Sequence, residues 1–281
     1  MPARLLEGYP VAEEILRDVR EQLDTIVTHS SPRLGVAILL PADAGAQSYA
    51  RAIRKTLAPL GIDVRTISLD DSIDEERFRE IVTQLNQQAD VTGILALQPL
   101  PHNLPRWLPA LTIAPEKDVD GITPLNAGRL HLGLPAIPPS TPAGAMELLR
   151  YYGIAVSGRR AVVVGRSPVV GRPLVSLLLS ADATVTVCHR KTTDLAEVTR
   201  TAELLFVAAG SPGLIRPEMV RPGAVVVDFG VNVVGERLVG DVDPAVAEVA
   251  SAITPVPGGT GPVTNAVLAR NLVTLARQQR S

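Results

Sequence analysis

The stretch Ala161-Val-Val-Val-Gly165-Arg-Ser-Pro-Val-Val-Gly171-Arg-Pro173 constrains the fold of this chain more than any other. An apolar run that reads as a buried strand ends in a glycine turn, and a helix starts near the second glycine. Glycine lets the main chain approach a pyrophosphate closely. The helix N-terminus adds free N–H donors and a positive dipole. The spacing is G-x-S-x-x-x-G rather than the commoner G-x-G-x-x-G, and alone it would also fit a plain strand–turn–helix. The strands around it tip the reading towards a nucleotide site.

Those strands belong to two alternating series. In the first, Val11 to Ile26 has apolar residues at helical spacing and Arg33 to Leu40 is a short apolar run after Ser-Ser-Pro. A helix is expected over about Gln47–Leu60, a strand over Asp63–Leu69 and a helix over Ile73–Gln88. Thr92-Gly-Ile-Leu-Ala-Leu-Gln98 reads as a buried strand closed by Pro99-Leu-Pro101. Leu111 to Pro142 is rich in Pro and Gly, and reads as a linker or as an ordered functional crossing. The second series places strands at Arg160–Gly165, Thr184–His189, Leu204–Gly210 and Ala224–Asp228. A last long helix runs from about Pro262 to Arg277. Strands alternating with helices predict an α/β fold with parallel sheets. Two domains are expected: 1–140, completed by the C-terminal helix 262–281, and a Rossmann-type domain over 141–261.

Bulk properties exclude several functions. With 281 residues and 46% hydrophobic content the chain can build two cores and is far from a disordered composition. A net charge of −2 gives no basic excess for capturing nucleic acid, and 3% aromatic content gives no base-stacking platform. Cys188 is the single cysteine, so there is no internal disulfide and no C-x-x-C metal spacing. Asp118 and Asp120 flank Val119, but no third oxygen ligand is evident, so no metal is expected. No apolar stretch follows a basic start, so neither a signal peptide nor a membrane anchor is expected, and the location expected is cytoplasmic.

Cofactor choice is read where the second Rossmann strand ends. NAD-selective sites usually place an acid there for the ribose 2′-hydroxyl. Here the strand Thr184–His189 runs into His189-Arg190-Lys191, with Arg166 near the glycine turn. Cations suit a 2′-phosphate and favour NADP, although Arg190 and Lys191 also fit an ordinary solvated loop. Thr254-Pro-Val-Pro-Gly-Gly259-Thr-Gly-Pro262 stacks turn formers immediately before the last helix.

Taken together, these residues resemble the methylenetetrahydrofolate dehydrogenase/methenyltetrahydrofolate cyclohydrolase family over nearly the whole chain. The matches include the helix bearing Tyr49, Thr92-Gly-Ile-Leu before Pro99-Leu-Pro101, and Lys117-Asp-Val-Asp-Gly121 followed by Asn126-Ala-Gly-Arg-Leu130. They continue through Ser140-Thr-Pro142, Gly165-Arg-Ser, Gly171-Arg-Pro173, Val227-Asp-Phe-Gly230 and Thr254-Pro-Val-Pro-Gly-Gly259. The resemblance implies a homodimer of two-domain subunits with a folate cleft between the domains. It implies hydride transfer from 5,10-methylenetetrahydrofolate to NADP, then hydrolysis of the methenyl product. Tyr49 and Asp120 would serve the folate, Asp120 on the pterin, with Pro257, Gly258 and Gly259 shaping the cleft wall. The cofactor would be held by Gly165, Arg166, Ser167, Gly171, Pro173, His189, Arg190 and Thr141.

The resemblance breaks at the chemistry. The family pattern is Tyr-x-x-x-Lys on the Tyr49 helix, and its lysine is the catalytic acid/base. Here that position is Ile53. The family's glutamine after Gly-Ile-Leu-Val is Leu97, and Gln98 comes one residue late, which in a strand reverses the face. Ala46 stands where the family usually has serine, and Ser140 where it often has cysteine. Isoleucine can move no proton, so acid/base assistance worth roughly 10²–10⁴-fold is lost, and hydrolysis suffers most. Hydride transfer needs chiefly alignment. The expected activity is a dehydrogenase with weak or absent cyclohydrolase. A folate-dependent one-carbon transferase with a second substrate, or a non-catalytic folate/NADP binder, stay open as alternatives.

Overall fold

The computed structural model describes residues 3–26, 33–235 and 237–280. The Ser-Ser-Pro segment before Arg33 and residue 281 lie outside them. In chain order the elements are β1 (Arg4–Leu5), α1 (Gly8–Ile26), β2 (Gly35–Pro41), α2 (Ala44–Leu57), β3 (Asp63–Leu69), α3 (Glu75–Gln87) and β4 (Gly93–Ala96). Next come α4 (Leu108–Thr112), α5 (Pro124–His131), α6 (Ser140–Tyr151), β5 (Arg160–Val164), α7 (Gly171–Ser180), β6 (Thr184–Cys188), α8 (Leu195–Thr199) and β7 (Leu204–Val207). The chain ends with β8 (Val225–Asp228), β9 (Asn232–Val234), β10 (Arg237–Val239), β11 (Ala252–Ile253) and α9 (Thr260–Gln278). They divide into two compact units. One is Met1–Glu14 with Thr141–Thr264, and the other is Ile15–Ser140 with Asn265–Ser281.

The second of these units is built on a parallel sheet in the order β3-β2-β4. The apolar run of β2 is buried through most of its length because it is the central strand, whereas β3 alternates as an edge strand does. Both flanking helices start on aspartates: Asp43 accepts the Ala46 N–H at 2.8 Å, and Asp74 accepts that of Arg77 at 2.8 Å. On α2 the buried stripe is Ala46, Ala50, Ile53 and Leu57, at helical spacing. Phe78, Val82 and Leu85 of α3 pack with Leu39, Ile94 and Leu108 in the core. Lys117 Nζ donates to the carbonyls of Leu85 and Gln88, satisfying the end of α3.

The Pro/Gly-rich stretch 111–142 is ordered structure. It holds a 3₁₀ turn over Pro115–Lys117 and helix α5, whose proline is its first residue and whose first turn is capped by Thr123. Helix α9 packs where β4 has no side chain, since a Cβ on Gly93 would lie 2.7 Å from Leu272 Cδ2 and 3.0 Å from Val119 Cβ. Beside this contact, buried Asn271 donates through Nδ2 to the carbonyls of Val119 (3.0 Å) and Pro138 (2.9 Å).

The other unit carries a six-stranded parallel sheet in the order β1-β11-β8-β7-β5-β6. Its core runs through Val162, Val164, Leu205, Val207, Val226 and Ile253. Strands lie at 160–164, 184–188, 204–207 and 225–228, so the second predicted series coincides with the observed strands to within a few residues. The two-residue strands β1 and β11 and the antiparallel hairpin β9–β10 are additions that no periodicity announces. The domain expected over 1–140 differs from the structure in its first fourteen residues. Arg4 and Leu5 pair in register with Ala252 and Ile253, which ties the N-terminus to the six-stranded sheet. Likewise, α9 begins at Thr260, and only from Asn265 does it complete the three-stranded unit.

Replacing Asn271 by alanine leaves two inward-facing carbonyls without their donor. We expect a loss of roughly 2–4 kcal/mol, read as a lowered midpoint in thermal denaturation followed by circular dichroism.

Candidate active site

Tyr49 lies on α2 one turn before Ile53. Its phenol pKa is raised above the ordinary tyrosine range, first by burial and then by the negative charge of Asp120. Asp120 follows the buried strand-like bridge at Asp118, and both acids are half or fully enclosed, but their roles differ. Asp118 is fully buried and spent on structure: it accepts the N–H groups of Ile122 (3.0 Å) and Thr123 (2.8 Å) and the Asn126 amide (2.9 Å). Asp120 accepts the Ser140 main-chain N–H at 2.9 Å. Burial pushes the Asp120 carboxyl up to about 6, the hydrogen bonding from Ser140 pulls it down, and Asp118 raises it further.

The loop carrying Asp120 is pinned on every side. Gly121 has φ +61, and a Cβ there would lie 2.1 Å from the Ile137 carbonyl oxygen, so only glycine allows the two segments to meet. Asn271 holds the carbonyls of Val119 and Pro138, one on each segment. The Asp120 charge that bears on the Tyr49 phenol is thus held in place within the three-stranded unit.

Ile53 is completely buried and Leu97 is 4% exposed. Gln98 is exposed, and its side chain accepts the Leu100 N–H at 3.3 Å. Lys55 is exposed on another face of α2. The two positions expected from the sequence to depart from the family pattern are thus interior and apolar, and Lys55 and Gln98 are exposed. Ala46 is buried on the same stripe.

In the six-stranded unit the chain leaves β5 for β6 on one side and returns to β7 on the other. This places a topological switch point at the carboxyl ends of β5 and β7. Gly165 sits there with φ +135, and a Cβ on it would come 2.3 Å from the Ala208 carbonyl oxygen. A Cβ on Gly171 would come 2.2 Å from the Gly165 carbonyl oxygen. Ser167 Oγ accepts the N–H groups of Val170 (3.1 Å) and Gly171 (3.3 Å), capping α7, and Pro173 is buried in its first turn. Arg166 is exposed on the turn.

At the end of β6 a tight turn closes from the Thr192 N–H to the His189 carbonyl at 2.8 Å, and His189 Nδ1 accepts the Lys191 N–H at 3.2 Å. This presents Arg190 and Lys191 to solvent, with no acid on the turn. Thr141 is half-buried in the first turn of α6. The 255–259 loop before α9 contains the cis Val256–Pro257 bond. Pro257 is exposed, Gly258 has φ +102, and Gly259 lies so close to α1 that a Cβ on Gly8 would overlap its carbonyl.

Several site-supporting residues carry no sequence signal of their own. Asn271 sits on a long helix with unremarkable neighbours, and Ser140 was legible only as part of a motif. Asp228 and Asp241 are buried carboxylates that bind main-chain N–H groups at the carboxyl ends of the strands. Burial is the main cause that pushes Asp228 up to about 6. Among the described residues no cluster of three or more metal-binding side chains occurs, and no helix is long and apolar enough to cross a membrane.

A parallel sheet with a glycine turn at its switch point defines a dinucleotide-binding α/β protein. Residues 139–280 match the NAD(P)-binding domain, and residues 6–120 the catalytic domain, of the tetrahydrofolate dehydrogenase/cyclohydrolase family. The chain is 57% identical over 276 residues to the bifunctional protein FolD of Thermomicrobium roseum, covering 98% of this chain and 96% of the relative. It is 48% identical to that of Chloroflexus aurantiacus, covering 99% and 98%. Among solved structures, the bifunctional FolD dehydrogenase/cyclohydrolase of Campylobacter jejuni superposes with a TM-score of 0.93 at 38% identity, with 99% of each chain covered. The Trypanosoma brucei dehydrogenase-cyclohydrolase, complexed with NADP cofactor and inhibitor, gives 0.91 at 35% identity, covering 100% and 99%. This chain belongs to the tetrahydrofolate dehydrogenase/cyclohydrolase family.

Removing the Ser140 N–H, as in Ser140→Pro, deletes a bond that lowers the Asp120 pKa. The carboxyl midpoint, followed by ¹³C NMR in a pH titration, is expected to move from about 6 to a higher pH.

Proposed function

We propose that this chain oxidises 5,10-methylenetetrahydrofolate to the 5,10-methenyl form with NADP, and that its hydrolysis of the methenyl product is weak or absent. The observation that carries the proposal is the fully buried Ile53 and the 4%-exposed Leu97 where the family pattern has lysine and glutamine. Family membership and the bifunctional relatives support the dehydrogenase half.

The residues present fit a bound NADP. The Gly165–Gly171 turn brings main chain close to the switch point, Arg166, Arg190 and Lys191 are exposed and cationic, and no acid follows β6 to contact a 2′-hydroxyl. Gly165, Arg166, Ser167, Gly171, Pro173, His189, Arg190 and Thr141 are the residues proposed to hold it. When bound, NADP supplies the hydride acceptor.

The chain's own residues would bind and orient the folate. Asp120 holds the pterin, Tyr49 stacks or hydrogen-bonds in the folate cleft, and Pro257, Gly258 and Gly259 shape the wall. Hydride transfer asks for alignment of the folate methylene carbon and needs no proton from the protein. Hydrolysis needs a water activated and a ring nitrogen protonated. Ile53 and Leu97 can do neither, and the high pKa of Tyr49 keeps its phenol from serving as a base near neutral pH. Replacement of both polar groups also avoids the penalty of leaving one buried without its partner. The homodimeric state implied by the resemblance and the cytoplasmic location expected from the sequence are parts of the same reading.

Two measurements test this. NADPH formation from methylenetetrahydrofolate should proceed while enzymatic methenyl decay stays near the uncatalysed rate, and fast enzymatic decay would overturn the proposal. Ile53→Lys combined with Leu97→Gln should raise hydrolysis by roughly 10²–10⁴-fold with NADPH formation largely kept. For the cofactor, Arg190→Ser with Lys191→Ser should raise the KM for NADP by roughly 10- to 100-fold and leave that for NAD little changed.

A further inference from the structure

The loop that follows β7 forms the second wall of the switch point, opposite the glycine turn. Ala208 ties this wall to the glycine turn: its N–H donates to the Val164 carbonyl at 2.8 Å, and its own carbonyl is the oxygen that forbids a side chain on Gly165. Beyond it, three successive main-chain N–H groups converge. Ala209, Gly210 and Ser211 donate at 2.7, 2.8 and 2.8 Å to the carboxylate of Asp241, and Asn232 Nδ2 adds a fourth donor at 2.8 Å. Asp241 is 0% exposed, whereas Ala209 and Gly210 face solvent.

Consecutive N–H groups of this kind make an anion-binding concavity, the feature that elsewhere receives a phosphate. Here the anion is internal. A neighbouring carboxylate, Asp228, accepts the N–H groups of Gly230 (2.7 Å), Asp241 (3.1 Å) and Val242 (3.0 Å), which fixes the Asp241 main chain in turn. Gly230 and Gly240 are glycines because a Cβ on either would collide with Asp241 or Asp228.

We infer that Asp241 is a positioning residue for the dinucleotide crevice: its buried carboxylate fills the N–H concavity after β7, holds the 208–211 wall against the glycine turn, and leaves the Gly165–Gly171 side as the place for the cofactor's phosphates. The inference rests on the nucleotide-binding half of the proposed function and assigns a specific group to it. A carboxylate is required because all four partners are donors. An amide in the same place would turn an N–H towards them.

The test is Asp241→Asn in the full chain, with NADPH affinity read by fluorescence titration beside a thermal melt. The NADPH Kd should rise roughly tenfold or more, the equivalent of losing one charged buried hydrogen bond. An Asp241→Asn chain that melts at a lower temperature yet binds NADPH as tightly as the unaltered chain would show a merely structural role and overturn the inference. Should that variant not fold, hydrogen exchange and amide chemical shifts in the unaltered chain decide. The Ala209, Gly210 and Ser211 amides should be protected although Ala209 and Gly210 face solvent, and their shifts should move on NADPH addition. Unprotected amides, or amides that NADPH leaves unmoved, would overturn it. Failure of the unaltered chain to bind NADPH would count against the nucleotide reading instead, so the two failures are distinct.

Discussion

Close approach of main chain to main chain at the carboxyl ends of β5 and β7 is the constraint on which the six-stranded unit depends. Gly171 packs on Gly165, and Gly165 packs on Ala208, each at a separation that a single methyl group would destroy. Parallel strands leave their carboxyl-end loops on one edge, so this packing brings the loops after β5, β6 and β7 to one rim. Main-chain polar groups exposed by such tight turns must find partners. Ser167 and Asp241 provide them from opposite sides of the switch point.

The three-stranded unit solves a related problem around one carboxylate. Asp120 is held in a site where its charged form is disfavoured, and the surroundings that hold it there are polar contacts to the main chain. Asp118 braces the following turn, the Ser140 main-chain N–H donates to Asp120, and Asn271 joins the two segments. None of these residues needs to touch a substrate to matter. Each determines where the Asp120 oxygens sit and how readily they keep a proton. Against that polar frame, Ile53 and Leu97 are buried apolar side chains of the same unit.

Much of this was legible in the residue order because it depends on short-range physics. Apolar runs ending in glycine marked β5 and its neighbours, and the helical stripe Ala46-Ala50-Ile53-Leu57 marked the buried face of α2. The strand expected over 92–98 is shorter, since β4 ends at Ala96, and Leu97 is buried and Gln98 exposed beyond its end. The helix α5 stayed hidden behind a proline-rich composition, although proline at a helix start is favourable. The strands β1 and β11 stayed hidden because two residues carry no period. Their pairing, Arg4 to Ala252 and Leu5 to Ile253, joins positions almost the whole chain apart.

The glycine turn that opened the reading illustrates the division. The sequence by itself determined that Gly165 and Gly171 end a strand and begin a helix, and that cations rather than an acid follow β6, since these depend on neighbours in the chain. Only the tertiary structure decided that Asp241 lies beneath the opposite wall, that Asn271 clamps the Asp120 loop, and that Asp118 is structural while the Asp120 charge bears on Tyr49. Hydrogen bonds from a carboxylate or an amide to distant main-chain groups leave no period or spacing in the sequence. They exist once folding has brought those groups within about 3 Å of each other.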